Sequence, residues 1–379
     1  MKLFDCQNCG QPLYFENTSC VSCGRRLGYL PERAIVAALE EADGGWRPLG
    51  MPESRYRLCA NAEHDVCNWL VAPEQGEIFC AACRHNRTIP DLSNPENLVH
   101  WRKIESAKHR LFYTLLRLDL PLTTRAEDPN GLAFDFLSSP ADGAGQAPVL
   151  TGHAGGLITL NVAEADDPER ERQRKSMAEP YRTLLGHFRH EIAHYYWDHL
   201  VRDTPAIDEF RRLFGDERED YGAALQRYYA NGPAPDWADR FVTAYASAHP
   251  WEDFAESWAH YFHMVDTLET AFAFGLRLRP KVGADLAAAI DFDPYVAELD
   301  RIIDAWLPLT FAVNSINRSM GQPDLYPFAL PPAVILKLNF IHTRVHADAA
   351  HRPRDSSNVA LRAIVAGLKR PVEPPPSPG

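Results

Sequence analysis

Leu184-Leu185-Gly186-His187-Phe188-Arg189-His190-Glu191-Ile192-Ala193-His194-Tyr195-Tyr196-Trp197-Asp198 is the stretch on which the reading of this chain turns. No Pro or Gly interrupts it from His187 to Leu200, and the spacing predicts a helix over 181–200. On a helix, residues four apart share a face, so the imidazoles of His190 and His194 can reach one ion. Glu191 sits beside them, where it can take a proton from water held by a metal. The bare His-Glu-x-x-His pattern also recurs by chance, so its surroundings have to decide.

Downstream lies His249-Pro250-Trp251-Glu252-Asp253-Phe254-Ala255-Glu256. Pro250 suits the first turn of a helix. Glu252 and Glu256 then stack on one face and Asp253 points elsewhere. One carboxylate can bind the metal while the other hydrogen-bonds a ligand histidine. Upstream, Gly156 to Val162 reads as a strand of the kind whose edge could receive a substrate. A longer motif with a third histidine is excluded, because it needs Gly and His where this chain has Trp197 and Leu200. A di-iron bundle site needs a second Glu-x-x-His, and the chain has none.

All eight cysteines fall between Cys6 and Cys83. Cys6, Cys9, Cys20 and Cys23 form two CxxC knuckles, each followed by a glycine that lets the backbone turn toward the sulfurs. Four thiolates favour a closed, tetrahedral, structural zinc. In the second group, Cys80 and Cys83 make a regular knuckle while Cys59 and Cys67 are more widely spaced, and His64 is an alternative to Cys59 as fourth ligand. The first 110 residues carry 13 Lys+Arg against 14 Asp+Glu, so there is no basic footprint for nucleic acid. A zinc-stapled module packed on the main domain is the better expectation.

The net charge of −12 argues against nucleic-acid and membrane-surface partners. No stretch has the apolar length of a membrane span, the first residues lack the apolar core of a secretory leader, and a cytoplasmic location is expected. The periodicity predicts a short helix over 31–42, then a long one opened by Ser93 and Glu96 as a capping box. Residues 135–155 read as loop. Helices follow at about 206–230, 236–247, 250–275, 284–291, 294–306, 308–318 and 331–346. The expected organisation is a tandem zinc-ribbon region over 1–92, with ribbons near 1–28 and 57–90. A main domain over 93–370 and a disordered, proline-rich tail over 371–379 follow.

Taken together, FDCQNCGQPLYFENTSC, CNWL, RTIPDLS, EPYRTLLGHFRHEIAHYYWD, AHPWEDFAESWAHYFH and NSINRSMGQPDLYPF resemble a bacterial family of zinc-binding metallopeptidases with an N-terminal zinc ribbon. The catalytic half is also similar to the gluzincin group, of which anthrax lethal factor is the closer member. The resemblance implies an α+β, predominantly α-helical, zincin-like catalytic domain preceded by two small zinc-ribbon modules. It implies one catalytic zinc on His190, His194 and Glu252, two structural zincs, Glu256 in support, and a peptide or protein substrate. Tyr245, seven residues before Glu252, takes the place of a tyrosine that assists at the tetrahedral intermediate, with a packed helix aromatic as the alternative. The long interval from His194 to Glu252 departs from the group. Two other functions stay open on sequence: a zinc-stabilised scaffold with a non-catalytic site, and a zinc hydrolase of non-peptide amides.

Overall fold

The computed structural model describes residues 1–72, 76–138, 149, 151–167, 170, 183–283 and 286–351. Tyr181 and Arg182, most of the expected loop at 139–148, and the tail at 371–379 lie outside them. The architecture is mixed helix and sheet, with the cysteines in an N-terminal region of short strands.

In that region β1 (Phe4–Asp5) pairs with β2 (Pro12–Leu13), and β6 (Arg57–Leu58) pairs with β7 (Leu70–Val71). Between these pairs runs an antiparallel meander of β3 (Leu27–Leu30), β4 (Ile35–Ala42) and β5 (Gly45–Pro48). The helix expected over 31–42 is therefore wrong. A 3-10 turn at Pro31–Arg33 ends at Ala34 with φ 47°, and Ile35–Ala42 is a strand paired on both sides. The alanines and glutamates there favour helix only weakly, and burial of Val36, Ala37, Ala38 and Leu39 between neighbours overrides them.

Helix α1 (Pro95–Arg117) is capped by Asn94, whose side chain accepts from Glu96 N at 3.1 Å, with Pro95 at the first helical position. The cap falls one residue later than the Ser93–Glu96 box, because the Ser93 amide is taken by Asp91. Phe15 meets Tyr113 of α1 edge-on at 5.6 Å and Tyr29 edge-on at 4.7 Å, and Tyr29 leans on Trp69 at 4.7 Å, which joins the ribbon region to α1. One buried cluster runs from Phe4 to Val345.

The main sheet has the order β10-β11-β9-β8, formed by β8 (Asn86–Thr88), β9 (Ala133–Leu137), β10 (Gly152–Ala154) and β11 (Leu157–Asn161). The strand read from the sequence is present as β11, but it is internal: β9 lies parallel on one side and β10 antiparallel on the other. The edge next to it is β10, inside the stretch expected to be loop. Gly156 at φ 79° makes the turn between β10 and β11. A Cβ there would meet Asn130 O at 2.1 Å, so only glycine fits.

Helix α2 (Leu184–Trp197) starts at Thr183, which caps Gly186 N at 2.9 Å, and it ends in a π turn at Asp198–Arg202. The segment 206–230 forms two helices, α3 (Ile207–Phe214) and α4 (Tyr221–Asn231). Gly215, at φ 113°, separates them. Residues 236–247 form a single turn at Trp237–Arg240 and a 3-10 turn at Tyr245–Ala248. Helix α5 (Pro250–Ala273) follows, packed along α2.

The helix expected at 284–291 is absent from the described residues. Its place is taken by the antiparallel pair β12 (Arg277–Leu278) and β13 (Ala288–Ala289). The two helices expected over 294–318 are one, α6 (Leu299–Ser319), which begins five residues late and continues through Pro308. Pro308 removes one backbone donor, and the buried flanks Trp306 and Leu309 hold the helix together across it. Helix α7 (Pro332–His351) extends five residues past its expected end. No helix among the described residues is long and apolar enough to cross a membrane.

Candidate metal centre

The two histidines of α2 face the first turns of α5. One ligand atom from each of His190, His194 and Glu252 lies within 4.8 Å of the others. His190 Nε2 is 3.0 Å from Glu252 Oε2, and His194 Nε2 is 3.8 Å from Glu252 Oε1. Glu252 and His194 are buried. Two chain segments 58 positions apart in sequence therefore converge on one point, because α2 and α5 pack side by side and each offers one face to the other.

The hydrogen bonds around these groups leave defined atoms over. His190 Nδ1 lies 2.7 Å from Glu256 Oε1, and the other oxygen of Glu256 accepts from Thr243 Oγ1 at 2.8 Å. With Nδ1 donating to that carboxylate, the Nε2 lone pair of His190 is turned toward Glu252. Glu252 Oε1 accepts from the Tyr221 hydroxyl at 2.7 Å, while Oε2 is buried with no hydrogen-bond donor. A lone pair and a carboxylate oxygen 3.0 Å apart repel each other unless a cation lies between them. The donor set, two nitrogens and one oxygen with a position left over, fits zinc.

Without a metal ion, a proton on His190 takes the cation's place opposite Glu252. Burial pushes the Glu252 carboxyl up, but the His190 hydrogen bond and the nearby imidazoles outweigh it and bring the group to about 2. Burial also lowers His190, and the hydrogen bonds to Glu252 and Glu256 reverse that, carrying it well above its usual range. His194 is brought down to about 3, chiefly by burial, and is neutral, as a ligand must be. The site concentrates negative charge and selects positive charge. Glu191 is pushed up to about 7, first by burial and then by the charge of Glu252, against the pull of His190. Among the described residues nothing hydrogen-bonds its carboxylate.

Tyr245 lies beside the centre, its ring centroid 6.1 Å from that of His190. Tyr221, Thr243 and Trp251 were not legible as site residues in the sequence. Trp251 covers His194 with centroids 3.9 Å apart, and His153 of β10 lies 6.1 Å from His194 on the same side. Only Trp251, beside Glu252 in the quoted motif, carried a signal that could have been used. Asp253 points away, as expected, into a buried ion pair with Lys337 of α7 at 2.6 Å. Lys337 also donates to Arg240 O at 2.7 Å, which ties α7 to the segment leading into Thr243 and Tyr245.

Other polar residues in and around these helices have structural partners. His187 pairs with Glu164 at 2.5 Å, and His260 shares a hydrogen bond with the Tyr326 hydroxyl at 2.6 Å. Arg189 is buried between His263 and Asp266, with Asp266 also held by Thr114 and Tyr295. Asn314 exchanges two hydrogen bonds with the Tyr326 backbone, and Arg318 pairs with Asp324.

The cysteines form two groups, each with sulfurs within 4.8 Å of one another: Cys6, Cys9, Cys20 and Cys23, and Cys59, Cys67, Cys80 and Cys83. Gly10 and Gly24 take φ values of 74° and 73° and donate their amides back to Cys6 O and Cys20 O. His64 stands outside the second group, paired with Glu63, whereas Cys59 is buried within it. Burial pushes the Cys67 and Cys80 thiols well above their ordinary range, so all four sulfurs ionise together only against a divalent cation. A contact the sequence did not reveal is His109 of α1, whose Nε2 lies 3.4 Å from Cys67 Sγ and 3.5 Å from Cys83 Sγ.

A family profile described as "Putative zinc-binding metallo-peptidase" matches residues 97–344, and a zinc-ribbon domain profile matches residues 3–94. Uncharacterized proteins of Mycobacterium tuberculosis (strain ATCC 25618 / H37Rv) and Mycobacterium bovis are 44% identical to the chain over 349 residues. The alignment covers 91% of this chain and 95% of each relative. No solved structure matches it. With the profile covering well over half of the sequence, this chain belongs to the zinc-binding metallo-peptidase family and carries a zinc-ribbon domain in front.

Proposed function

We propose that the chain is a zinc-dependent peptidase, with the catalytic ion held by His190, His194 and Glu252 and one structural zinc in each cysteine group. The observation that carries the reading is the convergence of these three ligand atoms beside Glu191, a half-buried carboxylate that no described residue hydrogen-bonds. Zinc in such a site polarises a scissile carbonyl and lowers the pKa of water. Glu191 takes the proton from the attacking water and delivers it to the leaving amine. Glu256 holds the His190 ring through Nδ1, and Thr243 holds Glu256. Tyr245, close to the His190 ring, donates a hydrogen bond to the oxygen on which charge develops. The substrate is a peptide or protein.

Elemental analysis tests the reading. The native chain should hold about three zinc ions, and the His190→Ala, His194→Ala double variant about two, with loss of hydrolysis across a peptide library. Equal zinc content in the two proteins, with no hydrolysis by the native one, would remove the catalytic assignment.

The pH profile supplies a second check. Glu191 works as a base only when ionised, and its carboxyl stands at about 7 without a metal charge beside it. A divalent cation lowers that value. kcat/KM is therefore expected to fall with a single-proton limb as pH drops below a midpoint at or under 7. A flat profile between about pH 5 and pH 8 would rule out a titrating base.

A further inference from the structure

We propose that Tyr221 is a positioning residue for the metal: its hydroxyl occupies Glu252 Oε1, so that Glu252 meets the ion through Oε2 alone. The proposal rests on the reading of His190, His194 and Glu252 as a zinc site. An unconstrained carboxylate can grip a cation with both oxygens and fill two positions. A catalytic zinc takes three protein ligands and keeps a position open for water or substrate. Fixing one oxygen from outside prevents Glu252 from taking that position.

Three observations support this division of labour. Oε1 accepts from Tyr221 Oη at 2.7 Å, whereas Oε2 is buried, lacks a hydrogen-bond donor and faces His190 Nε2 at 3.0 Å. The phenol is itself held in place. Asp220 caps α4 by accepting from Ala223 N at 2.8 Å, and the His249 ring nitrogen sits 3.2 Å from Glu219 O. The Tyr221 ring packs edge-on against His249 at 5.3 Å and Trp251 at 5.9 Å, the two residues that open α5 before Glu252. Finally, the same helix sets Tyr228 against Tyr245 with ring centroids 5.8 Å apart, so the element that carries the clamp also packs on the neighbouring phenol. The interval between His194 and Glu252, which sets this chain apart from the gluzincins, supplies the residue that orients its third ligand.

The experiment is a zinc titration of the full chain by chelator competition, repeated with cobalt and read from its visible spectrum. Tyr221→Phe keeps the ring packing and should bind zinc at the histidine site about 10–100-fold more weakly, with an altered cobalt spectrum and two ribbon zincs retained. Tyr229→Phe, toward the far end of the same helix, should bind like the native chain. In a Glu252→Ala background the Tyr221→Phe loss should vanish, because the hydroxyl then has no ligand to hold. Native affinity and spectrum in Tyr221→Phe, or a loss that persists without Glu252, overturns the proposal. A native chain with no ion beyond the two ribbon zincs overturns the zinc-site reading itself, and the proposal with it.

Discussion

Glu191→Gln is expected to lower kcat by about 10²–10⁴-fold while leaving zinc content unchanged. The amide has the shape of the carboxyl and cannot carry a proton from water to a leaving amine. Glu191 is not among the three groups whose ligand atoms converge, so the ion should stay. The substitution also has a sign in stability that separates it from a folding defect. In the metal-free chain, burial raises the Glu191 carboxyl to about 7. Between the ordinary carboxylate range and that value the folded chain binds more protons than the unfolded one. This group therefore takes stability away as pH rises through the interval. Gln cannot ionise, so the metal-free variant should be at least as stable as the native protein at neutral pH. An inactive, zinc-loaded, undiminished fold is the expected combination. Full activity in Glu191→Gln would show that the proton moves by another route.

Much of this centre was legible because its chemistry is written at helical spacing. His190 and His194 are four apart, as are Glu252 and Glu256, and Pro250 marks the start of the second helix as clearly as any capping residue. The eight cysteines announce their grouping by number and spacing. What the sequence hid depends on partners distant along the chain. Tyr221 reaches Glu252 across 31 residues and Lys337 reaches Asp253 across a longer span, and neither shows any periodicity. The misread elements share one cause. Ile35–Ala42 and the segment around Ala288 are rich in residues of good helix propensity, yet each is fixed by strands alongside it. Propensities differ by a few tenths of a kcal/mol per residue, and pairing with burial outweighs them. Pro308 misled in the opposite direction, since a proline is read as a break and here the core carries the helix through it.

The second large effect is expected far from the centre. Cys67→Ser or Cys80→Ser should unfold the main domain, whereas Cys9→Ser should leave most of it standing. Both groups have the same donor set, and the difference lies in what rests on them. Cys9 is exposed and Cys23 partly so, and the first ribbon meets the remainder through Phe4 and Phe15, through Gln7 and Glu16, and through the Met1 ammonium on α5 rather than through its own sulfurs. The second group is buried on all four cysteines and forms part of the seat of α1. His109 contacts two of its sulfurs. Lys108, wholly buried, joins Glu105 at 2.9 Å and also reaches Asn86 on β8, the strand that borders the main sheet. α1 in turn packs on α2, which carries His190 and His194. Removing the ion would leave four buried sulfurs with nothing to hold them together beneath α1, although Lys108 and Glu105 stay paired. Structural zinc contributes on the order of 10 kcal/mol to small zinc-folded domains, comparable to the whole stability of an ordinary domain. Thermal unfolding with zinc counted before and after should therefore show Cys67→Ser losing its cooperative transition and its histidine-site ion together. Cys9→Ser should lose one ion and only a few degrees. Equal, modest shifts in the two variants would mean that α1 holds its place without the second ribbon, and that hydrolysis is independent of it.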